Sequence, residues 1–336
     1  IANLLRDLQD KIDPFDSKIL IEIIERELGQ KYEEIFSEFS LNSTAAASIA
    51  QVHKARLKDG GFVAVKVLRP EINEIYEKDI RLLYLLAKLG NIFLKDYKRL
   101  RLVEAVKIFE DTMKFELDLR NEAAAASQLK DNLKNDEDIV IPSIYWDFTT
   151  SKILVSEWID GISIYEEDLS SKIESDKSEI AKKIAISFLS QAFRDGFFHA
   201  DLHPGNILVL KSGKIAFVDF GIIGKLSNQD RLGLAEVLYC IFSKDFMRVA
   251  EIHLELGYIP ASTNIGDFAL ACRAVTEPII GKPIDKISIG RLLDSLFKMT
   301  ANFGMITQPQ LILLQKTIVV VEGIGKIMAP ELNMWN

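Results

Sequence analysis

The stretch FFHADLHPGNILV, residues 197–209, interrupts an apolar pattern with two histidines, an aspartate, a proline, a glycine and an asparagine. Asp201 and Asn206 stand in an Asp-x4-Asn spacing, and the apolar strand that follows ends in VDFG, with Asp219 at its tip. A carboxylate and an amide oxygen are the hard donors that magnesium takes while it keeps several of its waters. A further carboxylate beside them can accept a hydroxyl proton or orient a water. Asp201 is thus a candidate catalytic group for phosphoryl transfer, with Asn206 and Asp219 as candidate magnesium ligands. A zinc pair made of His199 and His203 is the competing chemistry. These two lie across a Pro-Gly turn rather than on one helix face, and no third ligand is evident. The better reading has His199 bonding backbone to hold the loop, and His203 shaping the turn with Pro204 and Gly205.

The second candidate group is Lys66, placed mid-strand between valines in VAVKV. Alone, such a lysine reads as a stem lying on apolar surface with its head in water. A buried ammonium instead needs an acidic partner. FELDLRNEAAAA offers Glu116, Asp118 and Glu122. On one continuous helix Asp118 and Glu122 share a face at i, i+4, while Glu116 points elsewhere. The alanines after Glu122 permit close packing, so Glu122 is the expected partner of Lys66, with Glu116 and Asp118 facing the site mouth or another element. The alternative is a set of solvated charges on an amphipathic helix.

AAASIAQVHKA, residues 45–55, lies just ahead of the Lys66 strand. Small residues let backbone N–H groups approach phosphate oxygens, so Ala45, Ala46, Ala47 and Ser48 are candidate nucleotide contacts. Without glycine such a loop is stiffer than a glycine loop. The alternative, compatible with the first, is a helix N-terminus capped by Ser43 or Thr44.

The elements that must position these residues follow from periodicity and turn chemistry. PFDSKILIEIIERELG predicts a helix capped by Asp16 or Ser17 and stopped at Gly29. FVAVKVLRP is a valine-rich strand, entered through the hairpin turn KDGG. Residues 71–130 read as helical. IVIPSIYWDFTTSKILVSEWIDG returns to strand, with TTSK as the turn of a second hairpin. From Ser178 onward helices dominate: IAKKIAISFLSQAF carries Ile180, Ile184 and Phe188 on one stripe, and the hairpin ILVLKSGKIAFVDFG is the one strand-rich interruption. The predicted class is α+β and bilobed: a helical extension over 1–40, a small strand-rich lobe with a helical insert over 41–158, and a larger helical lobe over 159–336.

Composition narrows the partners. The 336 residues are 48% hydrophobic and 27% charged, ordinary for a globular protein, and the net charge of -8 speaks against a nucleic-acid footprint. Cys240 and Cys272 sit in apolar helical surroundings and read as core residues rather than a disulfide, which fits a reducing compartment. LKDYKRLRLVEAVK, residues 94–107, is basic and amphipathic, the best local candidate for a membrane contact, with a solvated helix face as its alternative.

Together, LLRDLQDKIDPF, AAASIAQVHKARL, VAVKVLRP, FELDLRNEAA, FFHADLHPGNILV and FVDFG, in that order, resemble the UbiB/AarF family of atypical, protein-kinase-like proteins; the ending MAPELNMW resembles its ubiquinone-linked members more weakly. The resemblance implies a kinase-like fold with an alanine-rich nucleotide loop. It implies that Lys66 touches nucleotide phosphates while paired to Glu122, that Glu116 and Asp118 are the family's Glu-x-Asp pair, and that Asp201 is the catalytic-loop aspartate. Asn206 and Asp219 would hold magnesium, and SEWIDG, with Glu157 and Trp158, would be the hinge whose backbone holds adenine. It further implies ATP or ADP and Mg2+ as ligands, a lipid or quinone-precursor client, and quinone-biosynthesis proteins as partners. The expected location is the cytoplasmic face of a bacterial inner membrane, with the family's Lys-x-Gly-Gln motif and C-terminal membrane helices lying outside this sequence. An older polyprenylphenol hydroxylase label for the family finds no flavin fingerprint or redox cysteine pair here.

Three functions remain open at this stage. The leading one is a magnesium-dependent ATPase or small-molecule kinase supporting ubiquinone synthesis. Peptide phosphorylation fits less well, because after DFG the chain passes through IIGKLSNQD straight into a helix near Arg231, leaving no room for an activation segment. An aminoglycoside- or choline-type phosphotransferase shares a loop like HADLHPGN, but the alanine loop and the Glu116–Asp118 pair argue against it. A nucleotide-sensing scaffold for a biosynthetic complex is the non-enzymatic reading.

Overall fold

The structure, a computed structural model, describes residues 14–93, 102–166, 169–173, 175–280, 288–305 and 308–329. Most of LLRDLQDKIDPF, residues 94–101 of the basic amphipathic segment and all but the start of MAPELNMW lie outside the described residues. The fold is α+β, and the chain divides into two compact units. One comprises residues 1–128 and 142–159, the other 129–141 and 160–336.

In the first unit, helix α1 (Ser17–Leu28) starts where Asp16 accepts the Lys18 amide at 2.7 Å and stops at Gly29, whose φ of 68° is left-handed. Both ends are the ones the sequence predicts. Strands β1 (Phe36–Phe39), β2 (Ala45–Ala46), β3 (Ala50–Leu57), β4 (Phe62–Leu68) and β6 (Ile153–Glu157) form an antiparallel sheet in the order β1-β3-β4-β6, with β2 on β3. Val63, Val65 and Val67 of β4 point to one face and are fully buried against Leu20, Ile23 and Ile24 of α1. Burying each such side chain contributes about 2 kcal/mol. The period of two therefore turns Ala64 and Lys66 to the opposite face. There helix α4 (Leu119–Asn132) packs Leu119 and Ala123 against Ala50, Leu68 and Leu154.

Two sequence expectations change in this unit. The 139–157 segment is not one regular hairpin. Ile144 makes only a single bridge to Ser156, and a 3-10 turn at Trp146–Phe148 leads into the Thr149–Lys152 corner. Here Thr150 accepts the Lys152 amide on its hydroxyl and donates its own amide to the Ile153 carbonyl at 2.7 Å, and the Tyr145 and Glu157 amides donate to the Val155 and Ser143 carbonyls, so TTSK does close a turn, between short and irregular arms. The helical stretch after β4 is also interrupted: α2 (Ile72–Phe93) and α3 (Leu102–Glu116) precede α4, with a break at Leu117–Asp118.

In the second unit, β5 (Ile139–Val140), β7 (Ile162–Ser163), β9 (Ile207–Val209) and β10 (Ile215–Phe217) form a sheet in the order β5-β10-β9-β7. Residues 129–141 belong here because β5 pairs with β10, Lys183 reaches Asp138 at 2.9 Å and Arg194 reaches Asp136 at 2.9 Å. Helix α5 (Lys177–Leu189) buries Ile180, Ile184 and Phe188 and runs into a π-helical turn at Ser190–Asp195. Then β8 (Phe197–His199) pairs with β11 (Ile223–Lys225). Gly224 faces Phe198 there so closely that a Cβ would lie 2.1 Å from the ring, so no larger residue fits without displacing that buried ring. Of the remaining helices, α6 (Asn228–Phe242), α7 (Phe246–Glu255), α8 (Ile265–Ile280) and α9 (Ile289–Ala301) build a second core, and α10 (Pro309–Met328) buries a face of its own through Leu314, Ile318 and Val321. Cys240 and Cys272 are buried in that second core, and burial raises the Cys272 thiol to about 12, as befits core residues.

Three buried histidines, His53, His199 and His253, make the fold acid-sensitive, and two of them lie outside the loop that His199 holds. His253 donates Nδ1–H to the Val249 carbonyl at 2.7 Å among Tyr258 and Phe268. His53 bonds the Ser40 carbonyl at 2.8 Å, stacks on Phe39, and has a buried Nε2 without a partner among the described residues. Burial lowers both pKa values. The unfolded chain then binds these protons first, so stability is complete above about pH 6.5 and is lost as pH falls towards the folded values. The expected result is an unfolding midpoint that drops between about pH 7.5 and pH 5.5, and drops less in His253→Phe, measured by thermal melts.

Candidate active site

In the first unit Lys66 lies on β4 between Val52 and Leu154 of its neighbours, on the face that α4 covers. Its Nζ donates to both carboxylate oxygens of Glu122 at 2.8 Å. Both side chains are nearly buried, 13% and 9% exposed. Alanine at 123 and 126 lets α4 approach closely enough for this contact. Glu116 ends α3 and Asp118 falls in the break, so Asp118 and Glu122 do not share a helix face. Instead Asp118 accepts the Arg120 amide at 3.1 Å and its guanidinium at 2.6 Å, which holds its carboxyl below the usual range and fixes the start of α4.

The alanine-rich segment is a β-hairpin, not a helix start, and neither Ser43 nor Thr44 caps a helix. Ala45 and Ala46 pair with Val52 and Gln51, and the Ala47 amide donates to the Ala50 carbonyl at 2.8 Å. Alanine favours helix in isolation, but pairing with β3 overrides that preference. Arg69 fastens the tip: its Nε donates to the Ala47 carbonyl at 3.0 Å and its amide to the Ile49 carbonyl at 2.8 Å. Ala47 and Ser48 stay exposed. At the expected hinge, the amides of Glu157 and Trp158 donate to the carbonyls of Ser143 and Phe62, at 2.8 and 2.9 Å. The Glu157 carboxylate accepts both the amide and the hydroxyl of Ser143. These amides serve the sheet, so a backbone contact to adenine from Glu157 or Trp158 can use carbonyl oxygens only. Lys54 sits over the Trp158 ring at 4.7 Å.

In the second unit His199 organises the HADLHPGN loop. It is fully buried, and burial lowers its pKa. Its Nε2 bonds the Val218 carbonyl at 3.2 Å, and its Nδ1 accepts the Asp201 amide at 3.2 Å. One neutral tautomer satisfies both contacts and leaves neither nitrogen for a zinc ion. The Gly205 amide donates to His203 Nδ1 at 3.0 Å, closing the turn. Asn206 donates Nδ2–H to the Asp201 carbonyl at 3.0 Å, while its own carbonyl receives the Val218 amide. That orientation commits the amide nitrogen and leaves the amide oxygen as donor to a cation. Asp219 has a left-handed φ of 59°, rare outside glycine and typical of strained functional positions, and the Gly221 amide bonds its Oδ1 at 3.3 Å.

Three residues here escaped the sequence reading. Gln191, buried in the π-helical turn, accepts the His199 amide at 3.0 Å and donates to Ser187 at 3.1 Å. Its signal was a polar residue inside the apolar stripe of IAKKIAISFLSQAF. Lys316 and Thr317, on α10, reach the loop as well: Lys316 Nζ donates to Asp201 Oδ1 at 2.8 Å, and the Thr317 hydroxyl, 2.8 Å from the Leu313 carbonyl of its own helix, also lies 3.2 Å from the Ala200 carbonyl. No local pattern announces a contact across that much chain.

Residues 7–253 match the ABC1 atypical kinase-like domain. The chain belongs to the ABC1 atypical kinase-like family. Residues 272–333 of this ABC1-family chain match a second description, the UbiB helical domain. The proteins named "Probable protein kinase UbiB" from Pseudomonas fluorescens strain Pf0-1 and from Pseudomonas putida strain F1 are each 42% identical over 340 residues. The alignments cover all of this chain and 64% and 63% of those relatives. The chain thus spans about two thirds of the length of the curated relatives it matches. A solved structure of Rv3197 with erythromycin, from Mycobacterium tuberculosis, superposes with a TM-score of 0.65 at 22% identity, covering 95% of this chain and 84% of that one. That likeness bears on the fold, which is kinase-like. Among the described residues no helix is long and apolar enough to cross a membrane.

Proposed function

We propose that this chain is the catalytic portion of a magnesium-dependent, ATP-binding atypical kinase or ATPase that supports quinone-lipid synthesis at a membrane surface. The observation that carries the reading is the Lys66–Glu122 pair. A lysine brought mid-strand to a nearly buried position and gripped on both oxygens of one carboxylate is a fixed cation, expensive to desolvate and suited to holding nucleotide phosphates.

The donor set in the second unit fits magnesium: Asp219 supplies a carboxylate and Asn206 an amide oxygen, both hard ligands on backbone held by His199 and Val218. Bound magnesium would neutralise charge on the phosphates. Asp201 accepts the proton of an attacking hydroxyl or orients a water, with its position fixed by His199 and Asn206. The exposed tip of the β2–β3 hairpin, anchored by Arg69, serves as the phosphate-covering loop, and hinge carbonyls serve as acceptors for adenine. Peptide substrates fit poorly, because the chain leaves Gly221, forms β11 and enters α6 at Asn228 without an activation segment. The name UbiB on the relatives supports a client among quinone precursors, and we extend this to a lipid surface and to quinone-biosynthesis proteins as partners.

Phosphate release from ATP with magnesium tests the reading, with and without phenolic quinone precursors and anionic vesicles. Turnover that rises with phenol or vesicles supports it. Tight nucleotide binding with no turnover under any of these conditions would move the function to a scaffold.

A further inference from the structure

The HADLHPGN loop has a charge deficit. Phosphoryl transfer spreads negative charge over the oxygens of the transferred group, and cations must meet it. Between Phe197 and Val209 there is no lysine or arginine. The nearest titratable neighbour on the loop itself is His203, whose Nε2 stands 4.0 Å from Asp201 Oδ2, while its Nδ1 is committed to the turn. The cation beside Asp201 comes from elsewhere: Lys316 of α10, in the part of the chain that matches the UbiB helical domain rather than the kinase-like one.

We infer that Lys316 is a catalytic residue of the phosphoryl-transfer site, a charge-stabilising cation supplied to the catalytic loop by the C-terminal helical region. The inference rests on the reading given under Proposed function. Its geometry is specific. Lys316 grips only Oδ1 of Asp201, leaving Oδ2 for a hydroxyl or water. An ammonium carries three donors, so two remain for the attacking hydroxyl or water, which must come within about 3 Å of the same carboxylate, and for an oxygen of the transferred group beside it. The grip is rigid at its base. Leu314, Ile318 and Val321 bury the helix around it, and Thr317, the next residue, is buried with its one hydroxyl proton shared between the Leu313 carbonyl at 2.8 Å and the Ala200 carbonyl at 3.2 Å. The ion pair is 51% and 28% exposed on its two sides, and an exposed pair adds little to stability. Thr317 and the apolar face already dock α10, which leaves Lys316 free to serve chemistry. The same contact makes activity depend on correct docking of α10, a coupling absent from a kinase-like domain taken alone.

The test uses the full-length protein and compares Lys316→Met, Lys316→Arg, Asp201→Asn and the double variant with a control, Lys326→Met, at an exposed site on the same helix. Lys316→Met is expected to lower kcat for ATP hydrolysis about 10²-fold, as loss of a charge-stabilising donor does, with the MgADP dissociation constant within about threefold of wild type. Lys316→Arg recovers part of the loss, Lys326→Met changes nothing, and Lys316→Met on the Asp201→Asn background costs little more, since the two act as a unit. An unchanged kcat, a rise in KM alone, or a faster Lys316→Met enzyme overturns the inference and leaves the phosphoryl-transfer reading standing. A wild-type protein with no turnover sinks that reading and this inference together.

Discussion

Asp201→Asn lowers ATP hydrolysis about 10³-fold and leaves MgADP affinity within about twofold of wild type. The separation follows from how Asp201 is held. Its backbone amide is fixed by His199 Nδ1 and its carbonyl by Asn206, and neither contact involves the carboxylate. Asparagine keeps both contacts and the side-chain volume. It loses the negative charge that accepts a proton and that Lys316 meets at 2.8 Å. The groups proposed to hold the nucleotide, Lys66 with Glu122 and the Arg69-anchored hairpin, belong to the first unit and are untouched. Calorimetry with MgADP beside a phosphate-release assay checks both halves. A parallel loss of binding and turnover would contradict the division of labour.

Glu122→Ala destabilises the protein by about 3 kcal/mol, within the range for breaking a buried ion pair from one side. The size comes from the lysine left behind. Lys66 is only 13% exposed, in a sheet face covered by Leu119 and Ala123, so its ammonium regains little water when the carboxylate is removed. A solvent-exposed pair such as Lys298–Asp294 is worth at most about 1 kcal/mol, so the same deletion there has a small effect. Adding Lys66→Met to Glu122→Ala should restore most of the stability, because it removes the stranded charge, but not nucleotide binding. Denaturant unfolding of the two variants separates these outcomes: equal instability in both would mean the cost lies in packing rather than charge.

Much of this was legible in the sequence, and particular residues show why. The valines of FVAVKVL alternate strictly, so Lys66 had to face away from α1, and Glu122 was identifiable because alanines follow it. His199 as a backbone anchor and His203 as a turn residue followed from the Pro-Gly step between Leu202 and Asn206. Local propensity misled where pairing partners decide. TAAAS is good helix sequence, yet β3 captures it as a hairpin arm. The break at Leu117–Asp118 carries neither glycine nor proline, so the pattern there reads as unbroken helix, and the Glu-x-Asp pair is divided between the end of α3 and the cap of α4. Lys316 was out of reach for a different reason: its contact with Asp201 spans 115 residues, and an amphipathic helix offers no mark for the one lysine that meets a carboxylate.

Magnesium-dependent phosphoryl transfer from ATP is tested by phosphate release from wild type and Asp219→Asn, each with and without magnesium. Asparagine tolerates the left-handed φ of 59° at this position, so the variant keeps the backbone and loses one of the two oxygen ligands' charge. Wild-type turnover that requires magnesium and disappears in Asp219→Asn is the predicted result. Turnover that is indifferent to magnesium, or that survives in Asp219→Asn, would rule out a magnesium site at Asp219.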